Sequence, residues 1–227
     1  MAKKKTAGRA KRFLAFLILF GPAFILGTIA LQRCEHDFKV LDDYGGAADY
    51  EFTDAQGEKH NFSDFKNQVV LVTTLQSTCP ENCAISFWHL DQLIYQHIRK
   101  NKKKLGSVRI ISFVTDGEGK PIEDLSTVDD MLRDQVEAYD PEIWYLASGD
   151  PKSLYDFENN NESLIQTGDE YFGGQAYQEL LLLLDRKNHL RMVLSGKSEG
   201  MIRRMKEHVA LLQKQYDKKA AKDAKKN

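Results

Sequence analysis

Cysteine is scarce in this 227-residue chain, at three, and proline is nearly as rare, at five, with none after Pro151. Three cysteines are too few to staple a small secreted scaffold. Charge of either sign is also missing in the sum: 32 Lys and Arg face 33 Asp and Glu, so net charge gives no reason to expect nucleic acid as a partner. No internal repeat is visible. Asp116, Asp129 and Asp130 lack the spacing of a calcium loop and read as helix caps and solvated surface. What is present is an ordinary apolar complement, 42% of residues, with 12 Phe, 9 Tyr and 2 Trp. Such a chain can bury a core, which excludes wholesale disorder. Its length suits one domain of ~150–200 residues with appendages.

The charges are unevenly placed. Residues 1–12 carry six cations (Lys3, Lys4, Lys5, Arg9, Lys11 and Arg12) and no acid, so the rest of the chain has an excess of seven acids. From Phe13 to Leu31 nineteen residues carry no charge at all. A helix of that length is about 28 Å long, close to the hydrocarbon thickness of a bilayer. A transmembrane anchor is therefore expected over 13–32, with the basic residues 1–12 on the cytoplasmic side and everything after Arg33 outside it. Pro22 and the glycines are tolerated in such a span. A cleaved signal peptide is the competing reading, but the apolar run is long for one and Leu31-Gln32-Arg33 offers no good cleavage site. Arg33 likewise spoils a lipoprotein box at Cys34, which is left a juxtamembrane thiol without a role. The preferred setting is a bacterial inner membrane, with a single pass and a periplasmic C-terminal domain.

Residues 33–48 are polar and contain two glycines, and they read as a linker to a domain over 49–216. Residues 217–227 are lysine-rich and read as a disordered tail; they contain no aromatic residue to stack a base, so nucleic acid is not expected there either. Within the domain, Tyr50–Phe52 and His60–Phe62 flank a D-x-x-G turn and predict a hairpin, followed by a short turn or helix at 63–66. Val69–Leu75 is a run of β-branched and apolar residues without alternation, the pattern of a central strand buried on both faces. Helix is expected from Cys83 to about Lys100, with Phe87, Trp88, Leu90, Leu93, Ile94 and Ile98 packed on the sheet. Strand follows at 108–114, helix at 126–138, strand at 143–147, and a short helix capped by Asp150-Pro151. Leu180–Leu184 and His189–Leu194 predict a hairpin near the sheet edge. A last helix, 196–215, would pack Met201, Ile202, Met205, Val209 and Leu212. This alternation predicts an α/β sandwich with a central mixed sheet and helices on both faces.

The chemistry is concentrated in L-Q-S-T-C-P-E-N-C, Leu75 to Cys83. Cys79 and Cys83 are four apart where a strand gives way to a helix. That spacing puts both sulfurs on one side, and a helix N-terminus favours the thiolate. A convergent thiolate pair can cycle between dithiol and disulfide, or hold a soft cation such as Cu(I). A static disulfide is the plain alternative, although so short a loop would staple almost nothing.

This segment, with Thr78, Cys79, Pro80 and Cys83, resembles the Sco/SenC family. The resemblance takes in the apolar N-terminal segment, the hairpin from Tyr50 to Gly57 with Phe62 and Phe65, and S-F-V-T-D at Ser112 to Asp116, covering roughly residues 45–215. It implies a membrane-anchored thioredoxin-like fold with copper bound by Cys79 and Cys83, and a role in assembling the copper site of cytochrome c oxidase. The expected partners are an oxidase subunit or another extracytoplasmic thiol or copper protein. Two departures matter. Where the family supplies a histidine as third copper ligand this chain has Gln178, and Ala84 replaces the second proline of the loop. The next imidazole downstream, His189, is expected on the far side of the sheet from Cys79. His36, His60, His89, His97 and His208 read as surface or satisfied residues. Losing the imidazole should weaken Cu(II) most and leave a two-thiolate Cu(I) site, or a metal-independent thiol:disulfide oxidoreductase in which Cys79 attacks and Cys83 resolves. No proline follows Pro151 to supply the cis-proline of an ordinary disulfide reductase.

Overall fold

The computed structural model of the protein describes residues 18–22, 40–78, 85–156, 158–159, 162–163 and 176–224. It divides into two units, 1–39 and 40–227. In the first, residues 18–22 form a turn of helix in which Ile18, Leu19 and Phe20 are exposed. The rest of the expected span over 13–32, and Cys34, lie outside the described residues. Among the described residues no helix is long and apolar enough to cross a membrane.

The second unit is built on a seven-stranded mixed sheet. Its strands are β1 (Glu51–Asp54), β2 (Lys59–Asn61), β3 (Val69–Gln76), β4 (Val108–Thr115), β5 (Trp144–Ser148), β6 (Leu180–Leu184) and β7 (Leu190–Ser195), in the order β2-β1-β5-β4-β3-β6-β7. β3 runs parallel to β4, with Val69 opposite Val108 and Gln76 opposite Thr115, and β4 runs parallel to β5. β6 lies antiparallel on the other side of β3, with Val72 opposite Leu182. Helix α1 (87–100) connects β3 to β4, α2 (Ser126–Gln135) connects β4 to β5, and α3 (Glu199–Ala224) follows β7. The β-α-β unit of β3, α1 and β4, joined to the β-β-α unit of β6, β7 and α3, is a thioredoxin-like arrangement. A hairpin of two-residue strands, Glu158–Asn159 and Glu162–Ser163, stands apart from the sheet.

Every residue of β3 is buried, as its run of apolar and β-branched residues without alternation predicts. Val69, Leu71 and Leu75 share one core with Ile110, Val114, Trp144, Leu181 and Leu183, beneath all three long helices. Val70 and Val72 face the opposite core, where Phe52, Phe62, Phe65, Leu154 and Tyr155 cover Ile111, Phe113, Leu180 and Leu182. Helices do lie on both faces, but the long ones are confined to the first. Among the described residues the second face is closed by the hairpin and by the short 3-10 turns Phe62–Phe65 and Pro151–Tyr155.

Local departures have simple causes. α1 starts at Phe87, with Ser86 as its cap, so Trp88 projects from the first turn and is 62% exposed instead of packed. Its middle, Leu90–Tyr95, takes π-helical form around the buried carboxylate of Asp91, which accepts from Gln92 Nε2 and Gln96 Nε2. In α3 the buried stripe is Ile202, Met205, Val209 and Leu212; Met201 is one residue, about 100° of turn, off that stripe and is exposed. α3 continues through the lysine-rich stretch to Ala224, beyond the boundary that composition suggests. The stretch read as a linker also has structure. Leu41 is buried in the main core, Tyr44 N–H donates to the Leu190 carbonyl, Leu190 N–H to the Gly45 carbonyl and Ala47 N–H to the Asn188 carbonyl, so residues 41–47 cover the β7 edge.

Inside the main core, Thr73 Oγ1 and Ser112 Oγ lie 2.9 Å apart, and Trp144 Nε1 donates to Ser112 Oγ at 2.9 Å. Ser112 thus pairs polar atoms on three adjacent strands. Replacing it by alanine leaves the indole N–H buried without that acceptor, at a cost of about 1–3 kcal/mol. Ser112→Ala should lower the urea midpoint with the slope unchanged, and an unaltered midpoint would remove Ser112 from the interactions that hold the core.

Candidate functional site

Cys79 and Cys83 lie outside the described residues, as does all of 79–84; the residues on either side of that segment show where it departs and returns. On the incoming side, Ser77 N–H donates to the Thr115 carbonyl at 2.8 Å, extending the pairing of β3 with β4 one residue past the strand. On the outgoing side, Ile85 is buried against Gly196, at the turn between β7 and α3, so closely that a Cβ on Gly196 would lie 2.6 Å from Ile85 Cγ1. Gly196 N–H in turn donates to the Glu179 carbonyl, just before β6. The cysteine segment therefore leaves the centre of the sheet at the C-terminal end of the parallel strands and returns beside the start of α3.

The helix start expected at Cys83 is corrected. Ser86 has extended backbone, and its Oγ accepts from His89 N–H at 3.3 Å as the cap of α1. Among the described residues the helix therefore begins at Phe87, and Cys83 itself lies outside them.

Gln178 is fully buried in this end of the sheet and its amide is committed. Nε2 donates to the Gly119 carbonyl and Oε1 accepts from Thr115 Oγ1 at 3.3 Å, while its main-chain carbonyl accepts from Thr74 Oγ1. Gly119 belongs to a turn fixed by Asp116, whose Oδ1 accepts from the Glu118 and Lys120 N–H groups at 2.8 Å. A φ of +84° and the proximity of Gln178 both require glycine at 119. So the position that resembles the family histidine is part of the floor, tied by hydrogen bonds to β3, to β4 and to the turn after β4.

Other polar residues at this end were not apparent from the sequence. Glu179 is 6% exposed, and its Oε2 lies 3.3 Å from Lys197 Nζ. His89, in the first turn of α1, has Nε2 3.9 Å from Glu199 Oε2 on α3, and its buried Nδ1 has no hydrogen-bond partner among the described residues. It is neither a plain surface histidine nor a satisfied one. Only the register of β6 against β3 could have brought Glu179 here, and no local pattern encodes that.

The remaining imidazoles are elsewhere. His189 occupies the β6–β7 turn, beside the start of β3, where Nδ1 lies 3.0 Å from Asp43 Oδ2. It lies at the opposite end of β3 from Gln76, the length of the strand or roughly 23 Å away, and not across the face of the sheet. The Asp43 carboxyl is held below its usual range, first by the hydrogen bond to His189 and then by the Gly45 N–H. His97 is held below its usual value by burial, with Lys206 adding repulsion. His36 lies outside the described residues, and His208 is carried by α3. His60, expected to be unremarkable, is paired with Asp54 in the β1–β2 hairpin.

No family model matches the chain, and no curated protein matches it in sequence. Among solved structures it is similar to a Sco1/SenC family lipoprotein from Bacillus anthracis, at 19% identity and a TM-score of 0.49 over 74% of this chain and 96% of that one. It is similar to the soluble domain of Sco1 from Bacillus subtilis, at 17% identity and a TM-score of 0.46 over 78% of this chain and 99% of that one. A third is ScoI of Bradyrhizobium japonicum with copper bound, at 17% identity and a TM-score of 0.46 over 74% of this chain and 99% of that one.

The floor makes a prediction of its own. In Gly119→Ala the new methyl meets the Gln178 amide at 2.7 Å and the backbone is strained, so stability should fall by about 1–3 kcal/mol. Adding Gln178→Ala removes the steric part. Denaturation of the double variant should show less loss than the two single changes summed, and strict additivity would mean that the two residues do not touch.

Proposed function

We propose that the protein is a membrane-anchored, extracytoplasmic Sco-like protein whose Cys79 and Cys83 take Cu(I) as cargo, or reduce the cysteines of a client, during assembly of a respiratory oxidase copper site. One observation carries the reading. The two ends of the cysteine segment are pinned at the C-terminal edge of parallel strands β3 and β4, by Ser77 on Thr115 and by Ile85 on Gly196, and that edge is where open α/β sheets bind their ligands. The sequence around it, S-T-C-P-E-N-C from Ser77 to Cys83, is the part that resembles the Sco/SenC family. The uncharged run Phe13 to Leu31 behind a basic N-terminus supports anchoring with the domain outside the cytoplasm.

The donor set determines which copper ion fits. Two thiolates are soft ligands and suit Cu(I). Gln178 adds no imidazole, and its amide is spent on Gly119 and Thr115. A site built on the thiolates alone holds Cu(I) and lacks the nitrogen donor that favours Cu(II).

The same commitment of Gln178 favours a second reading, a metal-independent thiol:disulfide oxidoreductase. In it the Cys79 thiolate attacks one sulfur of a client disulfide and expels the other as a thiolate. Cys83, deprotonated, then attacks the mixed disulfide and releases the second client thiolate, which takes up a proton. Two electrons pass to the client, and Cys79 and Cys83 end as a disulfide.

Titrating the reduced full chain with Cu(I) against a competing chelator separates the two. The first reading expects one Cu(I) per chain, lost in Cys79→Ser/Cys83→Ser. Copper retention unchanged by the double substitution would defeat it, and a Cys79–Cys83 potential outside the range of exchangeable disulfides would defeat the second.

A further inference from the structure

We propose that the β1–β2 hairpin is a site for Zn2+, held by Asp54, Glu58 and His60. One ligand atom from each of the three side chains lies within 4.8 Å of the other two. Asp54 ends β1 and is buried, and its Oδ1 accepts from the Gln56 and Glu58 N–H groups at 2.9 Å. The carboxylate is thereby fixed with Oδ2 presented to His60 Nε2, 2.7 Å away. The His60 ring lies among Phe52, Phe65 and Tyr145, at centroid distances of 5.4, 6.1 and 5.3 Å, an apolar surround that sets its orientation. Glu58, brought back over the turn by Gly57 at a φ of +81°, is exposed and leaves the third side open for entry.

A hydrogen bond between Asp54 and His60 accounts for the first two residues without an ion. Glu58, tied into the same turn by its N–H on Asp54 Oδ1, adds a second carboxylate beside that pair, and a dication bound there would be met by two carboxylates and one imidazole. Imidazole with two carboxylate oxygens is a three-ligand set for Zn2+, with water in the fourth position. Ligation through Nε2 uses the neutral ring with its hydrogen on Nδ1, so the hydrogen shared between Nε2 and Oδ2 gives way to the ion, and the Nε2–Oδ2 separation widens to about 3.3 Å around metal bonds of about 2.0–2.1 Å. Such a site is independent of the thiols, whose softness selects Cu(I).

The test uses the full chain with Cys34, Cys79 and Cys83 replaced by serine, so that thiol binding and its failure are separated from the hairpin. Titration with Zn2+ followed by calorimetry, and with Co2+ followed by its visible absorption, should show one ion per chain in tetrahedral geometry. His60→Ala should weaken Zn2+ at least tenfold and Glu58→Gln severalfold. Glu58 is exposed, so its variant tests the site without challenging the fold. Absence of stoichiometric Zn2+ binding, or an affinity unmoved by both substitutions, would overturn the proposal.

Discussion

Burial of β3 on both faces is the constraint on which the rest of the unit depends. All eight of its residues are inside, and three of them, Thr73, Thr74 and Gln76, are polar. Such groups are admitted to a core only with partners. Thr73 finds Ser112, and through it Trp144, beneath the helices. Thr74 finds the main-chain carbonyl of Gln178 on the opposite face. The polar half of the strand is its C-terminal half, so this requirement organises the end of the sheet from which the cysteine segment departs. Gln178, held from below by Thr74, is held from the side by Thr115 and Gly119, and the floor is fixed by the rule that keeps the core dry.

Much of the fold was legible because its strands are extreme cases. A seven-residue run of apolar and β-branched residues and five consecutive leucines read as buried strands in an α/β sequence, and Asp150-Pro151 supplies a cap and a first-turn proline. The parts that were not legible rest on contacts distant in sequence. Residues 42–48 are mostly polar or small and glycine-containing, and they are ordered by the edge of β7, by Arg191 and by the burial of Leu41 just before them. α1 begins late because Ile85 is drawn down onto Gly196, a contact 111 positions away that no local spacing announces. All the long helices fall on one face because the hairpin and its aromatic residues already occupy the other.

The candidate site was legible in its chemistry and less so in its surroundings. The spacing of Cys79 and Cys83 and the glutamine at 178 stand in the sequence. That Gln178 is bonded on three sides, and that Glu179, Lys197, His89 and Glu199 gather at the same end, follows from the register of β6 and the docking of α3. His60 shows the same limit elsewhere: six residues from Asp54 in sequence, it meets that carboxylate only because the hairpin folds back.

The stretch that covers the β7 edge is also the stretch through which any load from the preceding residues reaches the domain. Its first grip is not a strand ladder. Arg191 holds the carbonyls of Leu41 and Asp42 with its guanidinium while the same group is pinned to the buried Asp185, and Leu41 is sunk in the core. A pull from the N-terminal side must tear out this side-chain clasp before it can unzip the main-chain bonds of residues 44–47. Mechanical stress is thus met by one arginine and one leucine ahead of the sheet, and the edge strand stays seated while they hold.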